Sequence, residues 1–336
     1  MSTAQATSGS DSDTLLSIEN LIGSAYADRL TGNSGANSLS GAAGNDTLDG
    51  GTGIDTMAGG DGSDFYYVRD TGDVVTESNV TASTGGTDTV YSNLAAYTLG
   101  SNIENGRILA AGAANLTGNT LNNVLYAGAG NNVLNGSTGT DTVSYAYAAA
   151  GVTVSLASSL AQNTGGSGVD TLLNIDNLAG STFNDSLTGN TDANNLNAGA
   201  GNDLLSGGLG NDTLTGGLGN DTLFVGLGSD IVRFDALLDA TTNLDTISDF
   251  NVTDDTIQLE NAVFTTLATL GTLAAGSFRA GAGFTSAADA NDYLIYNSSS
   301  GALYYDADGN SAGAAAVQFA VLTGAPVLSN LDFVVT

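Results

Sequence analysis

Gly207-Gly208-Leu209-Gly210-Asn211-Asp212-Thr213-Leu214-Thr215 is followed without a gap by Gly216-Gly217-Leu218-Gly219-Asn220-Asp221-Thr222-Leu223-Phe224. The period is nine residues, and it decides the architecture. Six residues, G-G-x-G-x-D, are turn-forming, because glycine tolerates positive φ and Asp bonds to its own turn backbone. The other three, x-U-x with U apolar, make a very short strand with one inward side chain. Two nonapeptides make one coil of 18 residues. Stacked coils give two parallel sheets with the U residues between them.

Asp203 and Asp230 extend the ladder on either side, and Asp185 and Asn194 precede it in phase. The same ladder occurs earlier as Asp28, Asn37, Asp46, Asp55 and Asp64. A weaker copy runs Asn123, Asn132, Asp141, with Ala127 and Ser137 in place of glycines. Two residues after each position stands an apolar one: Leu30, Leu39, Leu48, Met57 and Tyr66; Leu125, Leu134 and Val143; Leu187, Leu196, Leu205, Leu214, Leu223 and Val232. Residues 18 apart share an edge, which stacks Asp46 near Asp64, Asp203 near Asp221, and Asp212 near Asp230. The candidate metal ligands are therefore Asp28, Asp46, Asp55, Asp64, Asp141, Asp185, Asp203, Asp212, Asp221 and Asp230. Turn carbonyls near Gly44, Gly51, Gly53, Gly60, Gly62, Gly201, Gly208, Gly210, Gly217, Gly219 and Gly228 complete the set. Carboxylates and carbonyls make an all-oxygen nest for a hard cation that takes about six to eight oxygen ligands, and repeats of this period are a known calcium type. Several calcium ions are expected. Turn capping by Asp is the competing reading. It explains one motif, not a phased series with an apolar residue at every U position. The degenerate tract is expected to bind fewer ions or none.

Composition agrees. The 336 residues carry five Arg and 35 acids, a net charge of −30, with no Lys, His or Cys. Only four acids are Glu (Glu19, Glu77, Glu104, Glu260), and 47 residues are Gly. Asp and Gly favour turns and caps, whereas helical surfaces favour Glu. Such a chain buries a core only if cations neutralise its acids. Without His or Cys there is no Ser-His or Cys-His nucleophile, no His-ligated zinc and no disulfide framework. The charge repels nucleic acid. No apolar run approaches the ~18 residues of a membrane span.

A longer repeat contains the short one. Asp13 to Val68 aligns without gaps to Asp170 to Val225 at an offset of 157, and the middle tract fits at an offset of 86. Residues 1–234 thus read as a solenoid with tracts at about 28–68, 114–146 and 185–234. Coils between them, such as Asp88-Thr89-Val90-Tyr91 and Gly151 to Leu156, are expected to need no metal. The first copy starts in mid-unit, which reads as the C-terminal piece of something longer. Residues 235–336 read as a β-rich cap. Strands are expected at Asp245–Phe250 and Asp255–Leu259, a short helix within Val263–Leu273, and a hairpin of Tyr293–Tyr296 with Ala302–Tyr305. Asp306, Asp308 and Asn310 resemble half of a calcium loop, but Val317 stands where its bidentate Glu belongs. A plain polar turn is the favoured reading there.

The G-G-x-G-x-D tracts, Asp245-Thr246-Ile247-Ser248-Asp249-Phe250, and the run Leu294-Ile295-Tyr296 through Gly301 to Gly309 with Val317-Gln318-Phe319 resemble the repeats-in-toxin (RTX) proteins. The C-terminal part is similar to the end of serralysin-like RTX proteins. The resemblance implies an all-β fold: a right-handed parallel β-roll, or β-solenoid, with calcium-filled turns and a β-rich cap. It also implies a bacterial protein exported by the type I secretion machinery, with an uncleaved signal at the extreme C-terminus. Leu331-Asp332-Phe333-Val334-Val335-Thr336 fits that signal, and Met1–Gln5 lacks the features of an N-terminal one.

Two functions fit. One is a secreted, non-enzymatic calcium-binding module of a cell-surface structural, adhesive or self-assembling protein, with itself or the cell surface as partner. The other is the secretion and folding appendage of a hydrolase whose catalytic domain lies upstream. Outward turn positions (Ala43, Thr52, Asp61, Ala200, Leu209, Leu218, Leu227) lack the Thr ladder of an ice-binding face.

Overall fold

A computed structural model describes residues 17–78, 85–311 and 313–336, preceded by the antiparallel backbone pair Gln5–Ala6 and Ser12–Asp13. The readings made on Met1–Ala4 and on Thr14–Leu16 lie outside the described residues. The chain falls into two compact units, Met1–Tyr147 with Ser167–Ile175, and Ala148–Gly166 with Asp176–Thr336.

In the first unit the nine-residue period becomes two sheets. Strands Arg29–Thr31, Thr47–Asp49 and Phe65–Val68 pair in parallel, with Leu30 opposite Leu48 and Leu48 opposite Tyr66. Asn20–Ile22, Ser38–Ala43, Thr56–Asp61 and Val74–Thr76 build the other sheet, with Leu39 opposite Met57. Every pairing within the tract joins residues 18 apart, as two nonapeptides per coil require. The first sheet continues through Thr89–Ser92, Asn105–Ile108, Val124–Tyr126 and Thr142–Ser144. Ala96–Thr98, Ala114–Thr117, Asn132–Asn135 and Gly168–Leu173 form a third.

The second unit repeats the plan. Leu187, Leu205 and Leu223 are stacked in one sheet, and Leu178, Leu196, Leu214 and Val232 in the other. All U residues after Leu30 are buried, which makes a ladder core one side chain thick. Each fully buried Leu contributes roughly 1.5–3 kcal/mol relative to exposure.

Asp245–Ser248 and Thr256–Leu259 are strands added in parallel to the nonapeptide sheets. Val317–Leu322 and Phe333–Val335 follow them, also in parallel. Leu294–Asn297 and Ala302–Tyr305 form the expected hairpin. It turns the sheet antiparallel, and edge-to-face contacts of Phe234, Phe264, Phe319 and Tyr305 fill the space behind it. The helix expected within Val263–Leu273 is absent. Single turns form instead, Phe264 N–H to Glu260 O and Leu267 N–H to Phe264 O, ending at strand Gly271–Thr272. Four Thr and a Gly at φ +99° give poor helix propensity, and buried Phe264, Leu267 and Leu273 pin the segment from outside.

Candidate metal centres

Seven turns of the full tracts hold their Asp in one way. In each the carboxylate is buried, and Oδ1 accepts the backbone N–H of the residue one coil earlier. Asp46 takes Asp28 (2.7 Å), Asp64 takes Asp46 (2.7 Å), Asp221 takes Asp203 (2.8 Å) and Asp230 takes Asp212 (2.7 Å). Asp55 takes Asn37, Asp203 takes Asp185 and Asp212 takes Asn194 in the same way. The other oxygen, Oδ2, of Asp46, Asp55, Asp64, Asp203, Asp212, Asp221 and Asp230 is buried without a hydrogen-bond partner. It fills the space where a side chain on the first glycine of its own turn would start: Gly41 for Asp46, Gly59 for Asp64, Gly207 for Asp212 and Gly216 for Asp221. At Gly41 that space also borders the Gly59 carbonyl, 2.8 Å from an ideal Cβ, one coil on.

Before Asp46, Asp55, Asp64, Asp141, Asp203, Asp212, Asp221 and Asp230 two turn residues take positive φ, four and two positions upstream, as Gly208 (+108°) and Gly210 (+109°) do before Asp212; the turns of Asp28 and Asp185 do not. A Cβ on Gly208 would lie 2.6 Å from the Asn190 carbonyl oxygen. All eleven glycines singled out in the sequence sit at one or other of these positions. Ala42 (+85°) and Ser137 (+79°) adopt the same backbone without being glycine.

Burial raises the acids, and the N–H donors only partly offset it. Asp64, Asp221 and Asp230 are pushed up to about 6 and Asp203 to about 7, with Asp46, Asp55 and Asp212 also raised. Among the described residues no ion pair reaches these seven carboxylates: those present join Arg69 with Asp49, Arg233 with Asp235 and Glu260, and Arg279 with Asp292. Buried carboxylate oxygens without partners, beside carbonyls and glycine backbone, fit a hard cation with oxygen ligands.

The candidate ligands are not equal. Asp28 and Asp185 open their tracts with Ser four residues upstream. Ser24 N–H and Oγ bond Asp28 at 2.5 and 2.9 Å, and Ser181 does the same for Asp185. Both carboxylates are thus held by the protein. Asp141 accepts the Asn123 N–H at 2.7 Å. Asp306 is buried, whereas Asp308 Oδ2 accepts the N–H groups of Gly313 and Ala314, and Asn310 bonds the Ala288 carbonyl. Asp308 Oδ1 is buried without a hydrogen-bond partner.

The first tract runs one step further in phase, with Asp55 N–H donating to Asp73, 18 residues on. The ladder also runs beyond the nine-residue phase. Asp64 N–H donates to Asp88, Asn132 to Asp170, Asp221 to Asp245 and Asp230 to Asp255. Spacing alone misses these residues, because loops of different length intervene. A signal was present: Asp-Thr-apolar recurs at Asp88, Asp170, Asp245 and Asp255 as it does at Asp46, Asp212 and Asp221.

These turns define a class of protein: a parallel β-roll whose edges are lined with acid-walled, oxygen-only pockets. The model of the RTX calcium-binding nonapeptide repeat (four copies) matches residues 17–48, 40–75, 111–145, 174–205 and 199–232. The chain is also similar to the solution structure of the AlgE6R3 subunit of the Azotobacter vinelandii mannuronan C5-epimerase. The two are 30% identical over 46% of this chain and 80% of that one, with a TM-score of 0.32. A comparison with curated proteins finds no significant match. The chain belongs to the RTX proteins, whose nonapeptide repeats bind calcium.

Proposed function

We propose that this chain is a secreted module whose fold is conditional on calcium, and that it serves in a bacterial cell-surface assembly. The observation that carries the reading is the buried series of half-satisfied carboxylates from Asp46 to Asp64 and from Asp203 to Asp230. With a net charge of −30 and few cations of its own, the chain stays open where calcium is scarce. It then threads a type I secretion channel, guided by its last residues. Outside, ions bind between the turns, and their binding free energy becomes folding free energy. The surface role draws support from Leu209, Leu218 and Leu227, which are 47%, 53% and 70% exposed at the turn corners, with Leu209 in register with Leu227.

The test is export from cells that carry a type I exporter. The full chain should reach the medium and resist protease only when millimolar calcium is present. A chain ending at Ser329 should stay inside. Export of both forms, or protease resistance with chelator, would overturn the reading. Sedimentation of the wild type and of Leu209→Ser/Leu227→Ser in excess calcium then tests assembly. A monomeric wild type would remove the surface role.

A further inference from the structure

The first tract does not stop at its last nonapeptide. Asp64, Glu77 and Asp88 bring carboxylate oxygens within 4.8 Å of one another, all three residues buried. Glu77 stands one coil beyond Gly59, where the pairing of Ala58 with Thr76 continues. At the equivalent place beyond Gly41, a nonapeptide supplies the Gly59 backbone carbonyl. Here the chain supplies a carboxylate, which turns back into the cradle at Gly59. An ideal Cβ on Gly59 would meet Asp64 Oδ2, the Tyr66 hydroxyl and, at 2.5 Å, Glu77 Oε1.

The bonds around the cluster leave part of it unsatisfied. Glu77 Oε1 accepts from the buried Tyr66 hydroxyl and, at 3.4 Å, from the Gly60 N–H. Asp88 Oδ1 accepts the Asp64 N–H at 2.8 Å, and the Asp88 N–H donates to Glu104 Oε2 at 2.8 Å. Glu77 Oε2 and Asp64 Oδ2 are buried and have no partner, on residues only 7% and 0% exposed. Among the described residues no ion pair reaches any of the three. Burial and mutual repulsion push Glu77 up to about 7 and Asp88 up to about 8. A stack of bare carboxylates at this spacing is costly, and either a cation or protons must relieve it.

We propose that Asp64, Glu77 and Asp88 hold one further divalent cation of the calcium type, in a site that extends beyond the nonapeptide repeats. The matched repeats of this tract end at residue 75 and the next match begins at 111, so two of the three ligands lie between them. The coil that contains Asp88 read as metal-free in the sequence, and this site assigns it an ion. Glu77 does there what a second nonapeptide turn does elsewhere: it closes the open end of a column of ions. The proposal rests on the calcium reading of the repeats.

Native mass spectrometry of the full chain refolded in calcium counts the ions. Glu77→Gln and Asp88→Asn should each lose one ion relative to the wild type. The double variant should also lose only one, since both residues hold the same ion. An unchanged count in a variant with wild-type circular dichroism would mean that the cluster shares protons, and would overturn the site. A double variant lacking two ions would also overturn it. If the carboxylate variants do not refold, Tyr66→Phe keeps the buried ring and serves instead. Terbium substituted for calcium should then lose tyrosine-sensitised emission relative to the wild type, and unchanged emission would overturn the site. A wild-type chain that takes up no calcium at all fails both this site and the broader reading. One that takes up several ions, none of them lost in Glu77→Gln, fails this site alone.

Discussion

The tract from Asp203 to Asp230 and the tract from Asn123 to Asp141 share the parallel coil pairing and differ in their turns. In the former each Asp uses one oxygen on the coil before it and leaves the other buried and unpaired. In the latter Asp141 accepts the Asn123 N–H as the other Asp residues do, but the two Asn residues turn the opposite way. Asn132 Oδ1 accepts the Gly128 N–H, and its Nδ2 donates to the Ala114 carbonyl. Asn123 bonds the Asn119 N–H and the carbonyls of Ile103 and Glu104. The two Asn residues embedded in full tracts behave alike, Asn37 with the Glu19 carbonyl and Asn194 with the Asp176 carbonyl. The amide thus reaches backbone oxygen with a donor of its own. An Asp leaves that task to a cation; an Asn closes the turn by itself. The degenerate tract is therefore expected to depend less on ions.

The largest effect should come from deleting a carboxylate in each tract. Asp212→Ala removes an acid bonded to Asn194 and followed by Asp230 on the same edge. Losing one charge-assisted interaction costs about 1.5–3 kcal/mol, so the calcium midpoint for refolding should rise roughly tenfold or more. Asp141→Ala, beside Asn123, should shift it less. A larger shift at Asp141 would break the comparison.

Protons should separate the tracts next. The buried acids, which ordinarily titrate near 3.8, are pushed up by burial in the cation-free fold, to about 6 for Asp221 and Asp230 and about 7 for Asp203. Between those limits the fold binds more protons than the unfolded chain, so its stability falls as pH rises. In chelator, hydrogen exchange of strands Leu204–Leu209 and Thr213–Leu218 should therefore slow towards about pH 4 and quicken above about pH 7, after correction for intrinsic rates. Asn does not titrate, so Ala114–Thr117 and Asn132–Asn135 should respond less. Equal responses would count against the amide account.

Much of this was legible before any coordinates. The apolar residue two places after each Asp set the inward positions, and a period of nine set pairing at 18. Both follow from strand geometry, which every coil repeats. Asp88, Asp170, Asp245 and Asp255 were not legible by phase, because a solenoid tolerates loops of any length between coils. Their pairing depends on three-dimensional stacking, which the Asp-Thr-apolar triplet marks only weakly. The Asn amides and the serines at Ser24 and Ser181 were missed for another reason. Whether a ladder side chain needs an ion is decided by which way it turns, and that is a property of its neighbours. The helix expected near Val263 failed because packing of Phe264 and Leu267 overrode a weak local pattern.

An exchange of side chains tests the amide directly, with a smaller expected effect. Asp212→Asn should be milder than Asp212→Ala, since the new amide can reach the Asn194 carbonyl. Asn132→Asp should raise the calcium needed for refolding, because it removes a donor and adds a buried charge. No change in either calcium midpoint would show that the amide bonds carry nothing. The smallest effect is conformational. Ser137→Gly and Ala42→Gly relieve positive φ at +79° and +85° and should each stabilise the calcium-loaded chain by about 1 kcal/mol in chemical denaturation. A loss of stability would mean that those side chains make contacts worth more than the strain.

The central claim is that the fold is conditional on ions neutralising its buried carboxylates. Circular dichroism of the full chain at neutral pH, titrated from chelator into calcium, tests it most directly. The account predicts a largely disordered spectrum in chelator and a cooperative rise of β signal as calcium is added. The same β spectrum with and without chelator would contradict it.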